Sequence, residues 1–314
     1  MAPMLLTGLL VLAAPEPDDD PLLLDPVQMR YDRPKVEWDE DWDRFRWWEY
    51  VANGVMVPGG LALRFMTQPP GDNFGGPILF DDPAEDLLLS PTLEGRSLAG
   101  DAADALFFGA MAYRVVDDLV VVGLGHGNGD VALQMSMIDL QAFGVVAATL
   151  WTTQLFVGRE RPHSRRCDDP GVEGGDLGCG SDDENNRYRS FISGHPALVV
   201  AAAGVTCMHH SRMPIYGGGV GDNLACASMI GAAATTGVLR VVSGSHHASD
   251  VVFGTALGLV AGWVVPSALH YGFGEDDEDE LATTPSDGAP AVRVAFVPFG
   301  PRGAIGAQVT GVVF

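Results

Sequence analysis

Basic residues are scarce in this chain: 18 Lys and Arg stand against 41 Asp and Glu, giving a formal net charge of −23 over 314 residues. Nucleic-acid binding rests on clustered positive charge, so this balance excludes a nucleic acid as partner. No internal repeat is present. The glycine-rich stretch 123–129 has neither the strand context nor the spacing of a nucleotide-binding loop and reads as a tight link between helices. The acidic run 275–280 has no EF-hand spacing around it, so it reads as a solvated linker in preference to a calcium site. The first 14 residues have an apolar core and end on Ala13 and Ala14 but carry no basic start, so residues 1–14 read as a mediocre signal peptide.

What the chain does have is apolar sequence concentrated between residues 50 and 271. Residues 251–269 contain no charge over about the length that a membrane span needs. Residues 135–157 carry only Asp139, residues 224–239 are rich in small residues that suit close helix packing, and residues 196–208 are short for a span. Residues 106–124 carry Arg114, Asp117 and Asp118, and residues 50–66 are interrupted by Pro58, Gly59 and Gly60. The expected fold is all-α: a bundle of five or six helices, transmembrane, with a small β-hairpin appended at the C-terminus. The expected organisation is an acidic, Trp-rich segment at 15–49, a helical core at 50–272, an acidic linker at 273–290 and the hairpin at 291–314. Trp47, Trp48 and Tyr50 sit where an aromatic belt meets a bilayer boundary, with packing on the core as the competing reading.

Three short clusters carry chemistry: Gln154-x6-Arg161-Pro162, Ser193-Gly194-His195 and Arg240-x5-His246-x3-Asp250. Each alone is weak; a Ser-Gly-His is usually a turn before a helix. In this order, separated by apolar stretches, they supply what phosphoryl transfer through a phosphohistidine requires. The transferring group spreads negative charge over its oxygens, so catalysis is positioning plus fixed positive charge. Arg161 and Arg240 offer planar forks of donors at any relevant pH. Ser193 and Gly194 precede an apolar run with Pro196 in its first turn, so their backbone N–H groups are expected to face an anion. An attacking imidazole needs its other nitrogen fixed by an acceptor, and Asp250, four residues from His246, is the expected partner. His195 is then the general acid. A zinc site on His246, His247 and Asp250 is the metal alternative, which leaves both arginines without a role. His247 reads as a packed neighbour, and His209, His210 and His270 as interfacial.

At these residues the chain resembles the type 2 phosphatidic acid phosphatase and vanadium haloperoxidase superfamily, whose pattern is K-x6-R-P, then P-S-G-H, then S-R-x5-H-x3-D. The resemblance spans residues 154–250, with surrounding helices from about 104 to 271. It implies that Arg161, Arg240, Ser193, Gly194 and Gln154 contact phosphate, that His246 is the nucleophile, His195 the acid and Asp250 the partner of His246. Three positions depart from the pattern: Gln154 replaces lysine, Ile192 replaces proline and Leu239 replaces serine. Only the first removes a charge from the phosphate, and Arg159 is the expected auxiliary that compensates. The implied activity is hydrolysis of lipid phosphates or polyprenyl diphosphates, a phosphoric monoester hydrolase or diphosphatase without a cofactor. Two rivals stand beside it: a vanadate-dependent haloperoxidase, and a non-catalytic lipid-phosphate-binding protein motivated by Gln154. The expected partners are a phosphate ester and the lipid bilayer.

Helix order puts all three clusters at one membrane face. Cys167 and Cys179 share the polar loop between the first two clusters and form the expected disulfide in an oxidising compartment, favouring an extracytoplasmic, periplasmic site. Cys207 and Cys226 are expected to be free or packed.

Overall fold

The computed structural model describes residues 35–69, 71, 73–74, 76–166, 186–273, 293–295 and 308–310. It divides into two compact units, Met1–Gly272 and Phe273–Phe314. Cys167, Cys179, the signal-like segment 1–14 and the acidic run 275–280 lie outside the described residues.

Among its described residues, the regular structure of the first unit is helical. Its elements are α1 (Trp47–Met66), α2 (Asp81–Leu88), α3 (Leu93–Val115), α4 (Gly129–Val157), α5 (Pro162–Arg166), α6 (Gly194–Arg212), α7 (Val220–Val242) and α8 (Ala248–Leu259). Wide π-type turns prolong α3 through Val116–Gly125 and α8 through Val260–Val264 and Ser267–Tyr271. The starts follow ordinary capping chemistry: Thr92 Oγ1 accepts from Gly95 N–H, and Asn128 Oδ1 accepts from Val131 N–H. Gly158, at φ +54°, ends α4 in the left-handed region that glycine enters freely. The link before α4 is the short stretch 126–128, in agreement with the glycine-rich connection read from the sequence.

Contrary to the interruption expected at Pro58, α1 is one continuous helix through Pro58, Gly59 and Gly60. Its packing on α4 explains this. A side chain at Gly60 would collide with Trp151, and the facing Gly144 of α4 makes room for Met56 and Val57. The close contact of α6 with α8 has the same basis. A methyl group at Gly254 would lie 2.5 Å from the carbonyl oxygen of Ser193, one at Gly258 2.5 Å from that of Ala197, and one at Gly262 would strike Ala201. Glycine every fourth residue therefore lets the α8 backbone ride on α6 and brings Asp250 to the first turn of α6.

Cys207 of α6 and Cys226 of α7 form a disulfide, with Cα atoms 4.5 Å apart. This corrects the expectation that both are free or packed: the two helices approach closely enough near their connecting turn for the sulfurs to meet. His209 and His210 are likewise fully enclosed, not interfacial. Arg114 is ringed by Asp117, Asp118 and Asp139 at 2.8, 2.5 and 2.7 Å. His209 bonds Asp139 and the Tyr271 hydroxyl, and His210 lies between Asp222 and Asp117. Buried charges persist only when paired in this way. His270 is also buried, stacked on Phe45 with Nε2 3.3 Å from Glu49 Oε1.

The outer surface of the helices is rich in large apolar side chains, including Val55, Phe65, Phe108, Leu119, Leu224 and Val252. Among the described residues, three helical stretches are long and apolar enough to cross a membrane: Gly129–Arg165, Val220–Val242 and Ala248–Tyr271. Trp47 and Trp48 are exposed at the start of α1, whereas Trp38 and Trp42 pack on Tyr271. In the second unit, Arg293–Ala295 pairs antiparallel with Gln308–Thr310. The connecting residues lie outside the described set, and the expected hairpin at 291–314 is not established as a unit.

Candidate functional site

Backbone hydrogen bonds tie the three sequence clusters together. Ser190 N–H donates to the Arg159 carbonyl at 3.0 Å, joining the stretch after α4 to the loop before α6. Ser193 N–H donates to the Asp250 carbonyl at 3.1 Å, joining α6 to α8. His163 N–H donates to the Gly244 carbonyl at 3.1 Å, seating α5 on the turn between α7 and α8. Residues far apart in sequence thus meet at one end of the bundle.

His246 lies in that turn and is buried. Its Nδ1 is 2.7 Å from the carbonyl oxygen of Ser190. A carbonyl only accepts, so Nδ1 carries the hydrogen and Nε2 keeps its lone pair. Burial, and then the positive charges of Arg161 and Arg240, hold the imidazole well below the usual histidine range, so it is neutral. The expected direct bond from Asp250 is replaced by this carbonyl, since Asp250 Oδ2 is 3.9 Å from Nδ1. The reason is local: α8 starts at Ala248, and Asp250 spends Oδ2 on the His247 N–H at 3.0 Å and on Ser190 Oγ at 2.6 Å. Asp250 therefore reaches His246 through Ser190, whose side chain it holds and whose carbonyl orients the ring.

Arg159 is fully buried beneath this arrangement, away from the auxiliary phosphate role. It bonds Asp250 Oδ1 at 2.5 Å, Ser249 Oγ at 2.8 Å and Asp81 Oδ2 at 2.7 Å. Asp81, at the start of α2, also accepts from the Ser249 N–H and hydroxyl. Burial raises its carboxyl, but the bonds from Ile78, Ser249 and Arg159 outweigh this and leave it below the ordinary value. His247 Nδ1 lies 2.7 Å from Glu85 Oε1 while His246 and Asp250 both bond Ser190, so the three side chains do not gather as one ligand set.

Gln154 is buried near the end of α4, and its Nε2 donates to the carbonyls of Arg189 and Ile192 at 3.2 and 3.1 Å. An amide facing two carbonyls braces the loop 189–192. Ser193 caps α6, with its own N–H committed to the Asp250 carbonyl, so the donors this turn has left for a ligand are its side chain and the amides that follow. Ser193 Oγ and Arg240 Nε are both buried without a hydrogen-bond partner among the described residues. Orphaned donors of this kind suit an oxyanion.

His195, in the first turn of α6, has Nε2 2.9 Å from Asp104 Oδ1. The same oxygen lies 3.3 Å from Arg240 Nη1. Phe107, one turn further along α3, rests against the His195 ring with centroids 4.7 Å apart. Burial and the charges of Arg240 and Arg161 push His195 down to about 3. The positive charge of Arg161 bears on both histidines. Asp104 and Phe107 escaped the sequence reading, as did Ser190 and Asp81. Asp104 stands alone on a helix with other acidic residues, and a backbone carbonyl leaves no mark in a sequence.

Beside Asp104 and Arg240 opens a polar cleft of about 340 Å³ between the start of α3 and the turn at 243–245. Its walls include Arg96, Ser97, Asp101, His163, Ser243 and Ser245.

Among known proteins, the family model of the PAP2 superfamily matches residues 140–273. That stretch contains every residue of the three clusters and excludes Asp104 and Phe107. No curated protein and no solved structure matches the chain.

Proposed function

With the match of residues 140–273 to the PAP2 superfamily as premise, we propose that this protein is a membrane phosphatase acting on lipid phosphates or polyprenyl diphosphates through a phosphohistidine on His246. The observation that carries the proposal is the bond from His246 Nδ1 to the Ser190 carbonyl, which leaves Nε2 as a neutral nucleophile.

In this mechanism the Nε2 lone pair attacks phosphorus as the ester P–O bond breaks. His195 gives its proton to the departing oxygen, so the leaving group departs as an alcohol or, from a diphosphate, as a protonated phosphate. Arg161, Arg240 and Ser193 Oγ hold the equatorial oxygens. Water then attacks the phosphohistidine, its proton passes to His195, the P–N bond breaks and inorganic phosphate leaves. Asp250, Ser190 and Arg159 position the nucleophile. Gln154 is turned onto the loop, so the positive charge that the family's lysine would supply is not replaced by Gln154, and the Gln154→Lys variant reads its effect directly. The apolar exterior and three span-length helices fit a substrate whose acyl or prenyl tail stays in lipid while its headgroup enters at the bundle end.

The test is phosphate release from a panel of lipid phosphates and diphosphates in detergent with chelator present, for wild type, His246→Ala and Gln154→Lys. Release by wild type and its loss in His246→Ala is expected. Intact lipid-phosphate binding without release by wild type would instead establish the binding-protein alternative. Bromide oxidation with vanadate and peroxide separates the haloperoxidase alternative.

A further inference from the structure

Resting on that reading of the pocket, we propose that Asp104 is a displaceable internal ligand: its carboxylate holds the phosphate donors of His195 and Arg240 in the empty site and competes with phosphate for them.

One oxygen, Asp104 Oδ1, meets both His195 Nε2 at 2.9 Å and Arg240 Nη1 at 3.3 Å. An oxygen bridging an imidazole and a guanidinium is the position that a phosphate oxygen would take. A carboxylate and a phosphate dianion cannot share those donors without strong like-charge repulsion in a partly desolvated site. The carboxylate therefore leaves when phosphate enters. Two features permit this. The Asp104 side chain is 50% exposed, so it is not locked by packing. It also borders the polar cleft, where Ser97 and Ser245 offer hydroxyls beside solvent. The contact has a further use while it lasts. Because a carboxylate accepts, it keeps hydrogen on His195 Nε2 and holds the ring against Phe107. After turnover, return of the carboxylate to the same donors helps expel the product. Asp104 is thus a positioning residue whose affinity for the site sets how tightly phosphate is held.

The test uses the full chain in detergent, inorganic phosphate as probe and titration calorimetry as readout, on wild type, Asp104→Asn and Asp101→Asn. Asp101 lines the same cleft and is exposed, but no contact to His195 or Arg240 accompanies it, so it controls for net charge. Asp104→Asn is expected to bind phosphate roughly tenfold more tightly, with Asp101→Asn close to wild type and thermal unfolding unchanged in both. In turnover Asp104→Asn should lower KM and kcat together, as release slows. Equal or weaker phosphate affinity in Asp104→Asn beside a binding wild type overturns the role of Asp104 and leaves the phosphatase reading standing. An equal gain in Asp101→Asn reduces the effect to general charge and overturns it too. Absence of binding in all three overturns the phosphate pocket itself, and this proposal with it.

Discussion

The Nδ1 of His246 stands 2.7 Å from the carbonyl of Ser190, while Asp250, four residues further on, stays 3.9 Å away and bonds the Ser190 hydroxyl instead. The His246 ring is thus aimed by a backbone atom whose position a carboxylate secures. Ser190→Ala removes that security without touching the ring. A hydrogen bond to a charged group contributes about 1.5–3 kcal/mol, so kcat is expected to fall roughly ten- to hundredfold with KM little changed. Steady-state kinetics on one substrate of the panel checks the split.

Arg159 neutralises Asp81 and Asp250 in a fully buried setting. Arg159→Met leaves two carboxylates without their cation. Breaking a buried pair costs about 3–5 kcal/mol, so a large drop in thermal unfolding temperature is expected. Arg159→Lys should rescue little, because a single ammonium cannot reach Asp81, Asp250 and the Gly76 carbonyl as the fork does. A stable Arg159→Met protein would show that the cluster does not hold this end of the fold.

Gln154 braces two loop carbonyls, so Gln154→Ala should lower stability by about 1–2 kcal/mol and reduce kcat as the loop loosens. Gln154→Lys keeps a donor at the position and should retain the fold. The opposite pattern, a raised KM in Gln154→Ala at unchanged unfolding temperature, would identify the amide as a phosphate contact.

Both site histidines lie below the usual range, His195 at about 3. Above a pH of about 6.5 the unfolded and folded states both hold them neutral. Below it the unfolded chain takes up protons that the folded site refuses, so their contribution to stability is lost as pH falls from about 6.5 toward 3. Thermal unfolding between pH 8 and 4 should follow that trend. His246 is held well below the usual histidine range, whereas His195 needs a proton to act as the proposed acid, so kcat/KM should rise as pH drops from 8 toward 6.5. Bound phosphate offsets the arginine charges, so the fall of kcat should begin at higher pH than that of kcat/KM.

Cys207 and Cys226 close a loop with a sequence separation of 19. Loop-closure entropy for that length gives about 3 kcal/mol, and Cys226→Ser should lower the unfolding temperature accordingly. Mass mapping without reductant should recover the peptides of Cys207 and Cys226 linked.

Much of the site was legible because its donors are side chains at fixed spacings. Arg161, Ser193, His195, Arg240 and His246 stand where apolar helices begin or end, and such charge is conspicuous beside long apolar runs. What the spacing concealed was the division of labour. His246 and Asp250 are four apart, yet the helix begins between them, so Asp250 caps α8 instead of meeting the ring. Arg159 and Gln154 differ from the sequence reading for a related reason: an arginine or amide near a phosphate motif does not reveal which way it turns. Pro58 misled because its cost to a helix is local, while the packing of Gly60 on Trp151 is not visible from α1 alone. The pairing of Cys207 with Cys226 depended on the distance between α6 and α7, which no single segment encodes.

Gly254 sits one turn beyond Asp250, against the carbonyl of Ser193. With Gly258 and Gly262 it fixes the gap between two backbones by the absence of carbon, and that gap sets how far the turn bearing His246 stands from the turn bearing His195. The spacing of the His246 and His195 rings is therefore metered by hydrogen atoms on a helix face that bears neither of them. An alanine there would act as a shim, spreading the reactive groups while leaving every one of them in place along the chain.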